Sequence, residues 1–396
     1  MERDTDVVIS GAGPAGLAAA CALGTEGVRV VLLDPRPPVV DGADAAADLR
    51  STAVLAPGRA LLERAGAWDD LAPQAEPLEV MRILDAGTDP PTERDFRAAD
   101  LGEPCFGWNL PNWRIRKALL AQAERLDTVS LRLGTGFEGM LARDASIRVR
   151  LSDGTRLRAA LLVGCDGRAS PVREAAGIGA RSVEYGQTAA AFAVAHDAPH
   201  RGVSTEVYRD GGAFTLVPMP DEGGEHRSAV VWMDRAAEHE RRAASGDDAF
   251  AAEATERSAG ANGPLRVVSR RALWPILLRV AHAMTARRVA LAAEAAHAMP
   301  PIGAQGLNTS LADIAALRDL VAAHRADPGD PAVLDAYGRA RHRDVLARAA
   351  AVDALNRAAL SGAGPIQALR AGVMGALHGV APLRRALMRA GLGTAA

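Results

Sequence analysis

The chain has 396 residues, of which 48% are hydrophobic and 24% are charged, and its formal net charge at pH 7 is −2. This length exceeds one minimal domain, so we expect a large core with a second lobe. The near-neutral charge argues against a broad nucleic-acid-binding face, and we expect no nucleic acid among the partners.

The first predicted elements form a nucleotide-binding unit. An apolar strand at 7–10 precedes an alanine-rich helix at 14–24, and a second strand at 29–33 ends before Asp34. Glycines between the first strand and the helix favour a tight turn, close approach to a pyrophosphate and close helix packing. The helix N-terminus would hold the phosphates, and the later carboxylate would bind the ribose hydroxyls. The expected contacts are Gly11, Ala12, Gly13, Ala15, Gly16 and Asp34. NAD and FAD both remain open at this point, and a glycine turn without a ligand is the alternative.

Next along the chain, residues 145–173 predict a hairpin followed by a buried strand. Apolar and polar residues alternate over 147–151 and again after the Asp153–Gly154 turn. The second arm continues into an apolar strand that ends in GCDGRASPVR. Further on, alternation in FTLVPM (214–219) and SAVVWM (228–233) predicts an antiparallel sheet with one buried face.

Residues 287–317 predict a strand, a short turn, a loop and a helix. The strand at 289–292 is followed by Pro300 and Pro301, by a loop with two glycines, and by a helix.

These segments resemble three motifs of the group A FAD-dependent aromatic monooxygenases. GCDGRASPVR is similar to the Asp-Gly motif of that family, with Asp166, Ser170 and Arg173 in register. The third segment is similar to its flavin-ribityl motif, in which His297, Pro300, Pro301, Gly303, Gly306 and Asn308 match. The resemblance implies FAD as cofactor, with contacts from Asp166, Glu294, Gly303, Ala304, Gln305, Gly306, Leu307 and Asn308.

The sequence departs from that family at the end of the 289–292 strand. The family has Gly followed by Asp or Asn there, whereas this chain has Ala293 and Glu294. A Cβ in place of glycine costs about 1 kcal/mol or more if φ is positive. We therefore expect FAD binding to be retained but weakened.

Residues 184–220 narrow the resemblance to the ubiquinone-biosynthesis hydroxylases. Their substrate-domain signature is similar to Tyr185, Gln187, Thr188, His200, Glu206, Tyr208 and Pro218 of this chain. Two further positions match this group: Asn112 before an amphipathic helix, and Arg50 where the family has a flavin-contacting arginine.

The resulting fold prediction is an α/β protein like 4-hydroxybenzoate hydroxylase. A Rossmann-like FAD-binding domain would comprise residues 1–180 and 265–345, because β and α segments alternate there. An antiparallel β-sheet substrate domain would be inserted at 181–264, and a C-terminal helical segment would follow at 346–396.

The resemblance implies that the cofactor performs the difficult step, while the protein binds, orients and excludes water. The substrates would be an aromatic, possibly prenylated, small molecule and O2, with NAD(P)H or a protein electron donor as reductant. No catalytic residue is assigned; Pro301 would lie against the flavin ring, and His297 is either a structural hydrogen-bonding residue or a proton shuttle. We expect no metal site.

The segment after Asp353 is basic and amphipathic. It contains Arg357, Arg370, Arg384, Arg385 and Arg389 with interleaved apolar residues and no acid. Such a segment suits a membrane surface or a partner in a ubiquinone-synthesising complex, and packing on its own domain is the alternative. Three cysteines without CxxC spacing and no apolar run of about 18–20 residues predict a cytoplasmic protein, either free or peripheral at the inner membrane surface.

Three functions remain open from the sequence. The first is hydroxylation of a prenylated phenol of ubiquinone biosynthesis, and the second is hydroxylation of a soluble phenol or natural product on the same fold. The third is a flavin-poor relative that acts as an assembly component, which only Ala293 and Glu294 favour.

Overall fold

The computed structural model describes residues 4–87, 90–209, 211–360 and 378–393. Its first layer is a six-stranded sheet in the order β19-β20-β12-β1-β2-β8, parallel except for β19. These strands are β1 (Val7–Ser10), β2 (Val30–Asp34), β8 (Val129–Leu133), β12 (Leu161–Gly164), β19 (Thr285–Ala286) and β20 (Val289–Leu291).

The centre of this sheet is buried on both sides, as parallel strands require. All residues of β1, β12 and β20 are buried. Helices cover the sheet, and the alanine-rich first helix is buried from Ala15 to Gly24 because small side chains permit close packing. The first five helices are α1 (Pro14–Thr25), α2 (Ala56–Arg64), α3 (Trp68–Leu71), α4 (Asn112–Arg125) and α5 (Pro171–Ala175).

A second layer is the nine-stranded sheet β21-β18-β13-β16-β15-β14-β5-β6, with β17 paired to β13. Apart from the parallel pair β5–β14, its neighbouring strands run antiparallel. The strands are β5 (Val80–Asp85), β6 (Thr92–Arg97), β13 (Ala180–His196), β14 (Val203–Arg209), β15 (Gly212–Glu222), β16 (Glu225–Arg235), β17 (Arg266–Val267), β18 (Ala272–Ala281) and β21 (His297–Ala298).

One face of this sheet packs on α6 (Ala236–Ala243) and α7 (Asp247–Arg257) around Phe192, Phe214 and Trp232. The other face borders the main cavity of the protein.

Two small antiparallel sheets complete the strands. The predicted hairpin around Asp153 and Gly154 is confirmed in the sheet β11-β10-β9. The other sheet, β3-β7-β4, lies beside the cavity. These strands are β3 (Ser51–Leu55), β4 (Glu76–Leu78), β7 (Gly107–Pro111), β9 (Phe137–Ala142), β10 (Ile147–Leu151) and β11 (Arg156–Ala159).

Three helices follow the strands: α8 (Gln305–Ala323), α9 (Pro331–Leu360) and α10 (Ala381–Leu392). Side chains of the predicted substrate-domain signature fix α9 to the nine-stranded sheet. The hydroxyl of Tyr185 donates to Asp353 at 2.5 Å, and Asn356 donates to Gln187 at 2.9 Å. In the part of the chain described, no helix is both long enough and apolar enough to cross a membrane.

The predicted fold class, a Rossmann-like α/β unit with an antiparallel sheet and C-terminal helices, is confirmed. The predicted domain limits remain a proposal. The nine-stranded sheet also contains residues 80–85, 92–97 and 272–281, which lie outside the range 181–264.

Candidate cofactor and substrate site

A cavity of about 1200 Å³ lies between the six-stranded sheet, the nine-stranded sheet and the C-terminal helices. Its wall includes the turn before α1, the start of α8, the inner face of the nine-stranded sheet, and parts of α9 and α10. A volume of this size is sufficient for a large cofactor together with a small molecule.

At one end of the cavity is the turn between β1 and α1. Gly11 has φ +108°, and a Cβ there would lie 2.3 Å from the carbonyl oxygen of Cys165. A Cβ on Gly16 would lie 1.8 Å from the carbonyl oxygen of Gly11. Gly13 differs, because a Cβ there would meet no atom within 4 Å and would point into open space. Two of the glycines thus serve packing, and Gly13 leaves room for a ligand at a helix N-terminus.

Asp34 lies at the end of β2 and holds this turn. Its carboxylate accepts hydrogen bonds from the amide of Ala12 at 2.7 Å and from the amide of Arg36 at 2.9 Å. The side chain does not line the cavity. Its predicted contact with ribose hydroxyls therefore stays a prediction.

A polar network formed by Asp48, Arg50, Thr52 and Asn112 lines the adjoining wall. Arg50 donates from two nitrogens to Asp48 at 2.7 and 2.8 Å, and Asn112 bridges Thr52 and Asp48 at 2.7 and 3.0 Å. Burial would raise the pKa of Asp48, but hydrogen bonding and the charge of Arg50 outweigh it and lower that pKa. Arg50 also lies over the ring of Trp274 at 5.4 Å. The sequence indicated Arg50 and Asn112 but not the carboxylate that fixes both.

The predicted Asp166 has a local structural role. It accepts hydrogen bonds from the hydroxyl of Ser170 and from the amide of Val172 at the start of α5, and burial raises its pKa. Its side chain does not line the cavity, although its neighbours Cys165 and Gly167 do.

The loop before α8 forms the opposite wall, with Pro301 and residues 303–307 lining the cavity. Ala304 is the N-cap residue of α8 and has φ +56°. Because Ala304 and the first residues of α8 line the cavity, this helix begins at the cavity wall. Asn308 holds the loop from behind: it donates to the carbonyl oxygen of Ala53 at 2.7 Å and accepts from the amide of Leu55 at 2.9 Å. Gln305 accepts from Arg348 at 2.6 Å and donates to the carbonyl oxygen of Gly391 at 3.3 Å.

The two atypical residues, Ala293 and Glu294, also line the cavity. Ala293 has φ +56°, so the conformation that glycine would adopt freely is kept despite the Cβ. The side chain of Glu294 is 48% exposed, and its carboxylate lies 3.6 Å from the Nε atom of Arg168.

A buried ionic network supports this strand end. Asp313 of α8 is completely buried and accepts from the Nε2 atom of His297 at 2.6 Å and from the amide of Ala293 at 3.1 Å. Its other oxygen accepts from Arg341 of α9 at 2.8 Å. His297 lines the cavity, but this bond to Asp313 favours the structural interpretation over that of a proton shuttle.

The structure thus brings most of the predicted site residues to one cavity. Those that line it are Gly13, Ala15, Arg50, Asn112, Glu294, His297, Pro301, Gly303, Ala304, Gln305, Gly306 and Leu307. The others support it from behind: Gly11, Ala12, Gly16, Asp34, Asp166 and Asn308.

These residues fit FAD. Gly13 and Gly306 both lie on the cavity wall with open space where a Cβ would be. Both α1 and α8 begin at the wall of this cavity, and helix N-termini suit a pyrophosphate at one end and electron-rich ring oxygens at the other. Contact of the individual residues with FAD remains a proposal.

Replacing Ala293 by glycine should stabilise the protein. Since φ is +56° there, removal of the Cβ should raise the free energy of unfolding by about 1 kcal/mol, which urea denaturation measures. The matched control is Ala295→Gly, two residues further on and without a positive φ, where glycine should lower it by about 0.5–1 kcal/mol. Equal effects of the two substitutions would contradict strain at Ala293.

Comparison with known proteins agrees with this geometry. A family model described as FAD binding domain matches residues 4–352. The chain is 36% identical over 397 aligned positions to a ubiquinone hydroxylase of Rhodospirillum rubrum, which covers 99% of this chain and 90% of the relative. It is 30% identical to a ubiquinone hydroxylase of Neisseria meningitidis, with 85% and 73% covered. The crystal structure of p-nitrophenol 4-monooxygenase from Pseudomonas putida superimposes with a TM-score of 0.80 at 23% identity, covering 98% of this chain and 97% of the other.

Proposed function

The chain belongs to the FAD binding domain family, and from this premise we propose that it hydroxylates the aromatic ring of a prenylated phenol in ubiquinone biosynthesis. It is a flavin-dependent aromatic monooxygenase. The identity of the substrate is the part that goes beyond family membership. It is supported by the relatives named ubiquinone hydroxylase, of which the alignments cover 90% and 73%.

The observation that carries the proposal is one continuous cavity with two different ends. The glycine turn and the N-terminus of α1 at one end suit a dinucleotide, whereas the sheet end is lined mostly by apolar side chains. These include Ile83, Val217, Val231, Ile276 and Ile302. A phenol with an apolar tail is stabilised by burial against such a wall, at about 25 cal/mol per Å² of apolar surface.

In the overall reaction, an aromatic C–H, O2, two electrons and two protons give a ring hydroxyl and water. The electrons come from NAD(P)H or a protein donor, and bound FAD supplies the activation of O2. The protein supplies the amides at the starts of α1 and α8, which stabilise negative charge, and an apolar wall that excludes water.

Complementation tests this function. Expressed in bacterial strains that each lack one ubiquinone ring hydroxylase, the chain should restore ubiquinone in at least one strain. Extracted quinones are quantified by chromatography with mass detection. Failure in every strain, although the protein is present and loaded with flavin, would refute the substrate assignment and favour a soluble phenol.

We also propose that the protein docks peripherally on a membrane through α10. Val380, Leu383 and Leu387 lie on one side of this helix and are 40–52% exposed. Leu387 also lines the cavity, so the exposed apolar surface continues into the binding site. A prenylated substrate would reach the cavity from lipid by this route.

Fewer arginines of the segment after Asp353 are available for docking than the sequence suggested. Arg357 pairs with Asp353 at 3.0 Å, and Arg384 lies 3.4 Å from Asp100, whereas Arg370 lies outside the described residues. Docking should therefore depend more on apolar contact than on basic charge.

Sedimentation with liposomes containing acidic lipid measures this docking. The double variant Leu383→Gln, Leu387→Gln should sediment several-fold less than the parent, because two exposed apolar contacts are lost. Leu141→Gln, at an equally exposed leucine of β9, is the control and should sediment like the parent. Equal sedimentation of all three proteins would contradict docking through α10.

A further inference from the structure

The cavity face of the nine-stranded sheet contains a buried carboxylate that the binding of FAD does not use. Side chains alternate along β14, so Ser204, Glu206 and Tyr208 line the cavity while Val207 packs in the core on the opposite face. The strand register places Glu206 beside Ile83 of β5. On its other side it lies beside Thr215 of β15, so this carboxylate belongs to the sheet end of the cavity wall.

Glu206 has little polar contact within the protein. It is 7% exposed, and its Oε1 atom accepts a hydrogen bond from the hydroxyl of Tyr208 at 2.8 Å. Among the residues that the structure describes, the hydroxyl of Tyr208 is the only hydrogen-bond partner of the carboxylate, and no charged group acts on it. Burial accordingly raises its pKa.

An incompletely paired carboxylate in an apolar wall is costly to the folded protein. This cost is offset when a ligand donates a hydrogen bond to the second carboxylate oxygen, Oε2. A cavity that admits an aromatic ring offers one such donor, the ring hydroxyl, and an ether at the same ring position offers none.

We propose that Glu206 and Tyr208 form the subsite that binds the free ring hydroxyl of the phenolic substrate. The Oε2 atom of Glu206 accepts the hydrogen of the ring hydroxyl, and the hydroxyl of Tyr208 fixes the carboxylate through Oε1. The inference rests on the proposed function, which it deepens, because it selects phenols with a free hydroxyl over their O-alkylated forms and orients the ring in the cavity.

Binding of a matched pair of ligands tests this subsite. We would titrate 2-geranylphenol and its O-methyl ether into the FAD-loaded enzyme by calorimetry. The parent should bind the phenol about tenfold or more tightly, as a hydrogen bond to an otherwise unsatisfied buried acceptor implies. Glu206→Gln should abolish this preference, because its amide donates a hydrogen and suits the ether oxygen at least as well.

The control is Thr205→Val on the same strand, whose side chain does not line the cavity, and it should keep the preference. Flavin content and melting temperature show whether each variant is folded. If Glu206→Gln does not fold, Tyr208→Phe replaces it and should reduce the preference several-fold, since the carboxylate loses its orienting bond.

Equal affinity of the parent for both ligands, binding of neither ligand, or a preference that survives in folded Glu206→Gln would each overturn the subsite. Hydroxylation assays on the same preparations separate this inference from the proposed function. Product formation without a preference for the phenol would refute only the subsite. A preference for the phenol without product in any assay would refute only the proposed hydroxylation.

Discussion

Replacing Gly13 by valine should weaken FAD binding by about 100-fold or more and leave the fold intact. Gly13 has φ −70° and ψ 175°, which valine adopts readily, and a Cβ there meets no protein atom within 4 Å. The added side chain would instead occupy the space through which a pyrophosphate approaches the N-terminus of α1. Loss of two hydrogen bonds to a charged group costs about 3 kcal/mol or more, which corresponds to about 100-fold weaker binding.

The measurement is titration of FAD into the apoprotein, followed by flavin fluorescence, with circular dichroism as the test of folding. Gly16→Ala is the comparison, because its Cβ would lie 1.8 Å from the carbonyl oxygen of Gly11. That variant should lose stability, whereas Gly13→Val should lose only the cofactor. Unchanged FAD affinity of Gly13→Val would contradict the assignment of the glycine turn as the pyrophosphate site.

Asp313→Asn should cause the largest loss of stability. Asp313 is completely buried between His297 and Arg341, and its replacement removes the buried countercharge of Arg341, which keeps only the partly exposed Asp344 at 2.9 Å. Breaking a buried ion pair in this way costs about 3–5 kcal/mol. Asp313 also accepts a hydrogen bond from the amide of Ala293, just after β20. We therefore expect Asp313→Asn to destabilise this strand end and to weaken FAD binding.

Urea denaturation of the two proteins measures this effect. The control is Asp319→Asn on the same helix, where the side chain is 63% exposed and pairs with Arg318 at 2.6 Å. Arg318 keeps Glu26 at 3.2 Å, and a carboxylate as exposed as Asp319 contributes at most about 1 kcal/mol, so the control should remain near the parent. A loss at Asp313 no larger than at Asp319 would show that the network does not stabilise the fold.

The same network gives the protein a direction of pH dependence. Burial would raise the pKa of Asp313, but the charges and hydrogen bonds of His297 and Arg341 outweigh it and lower that pKa. A carboxyl whose pKa is lower in the folded state stabilises the protein above its unfolded pKa of about 3.9. This contribution disappears as the pH falls through the folded pKa. The difference in the free energy of unfolding between the parent and Asp313→Asn should therefore shrink under acid conditions.

Elements with a local signal could be predicted from the sequence. The turn before α1, the hairpin of β10 and β11 and the loop before α8 each follow from glycines, alternation or prolines within one short segment. The positive φ of Ala293 was also foreseeable, because the matching family position holds glycine. Such features depend on neighbouring residues, which a sequence displays directly.

Features that depend on distant pairing could not be predicted. β5 pairs in parallel with β14, which lies more than a hundred residues later in the sequence. No local sequence pattern indicates this pairing. Asp48 and Asp313 are single carboxylates with no spacing motif, and their importance arises from Asn112 and Arg341, which folding places beside them. Glu206 appeared as part of a signature, but its position in the cavity wall follows only from the sheet register.

The most direct test of the central claim is the visible absorption spectrum of the purified full-length protein, with identification of the cofactor it releases on denaturation. We predict the two-band spectrum of an oxidised flavin and release of FAD in about equimolar amount to the protein, if necessary after incubation with added FAD. A folded protein that takes up no flavin from excess FAD would contradict a flavin-dependent hydroxylase and support a role as an assembly component.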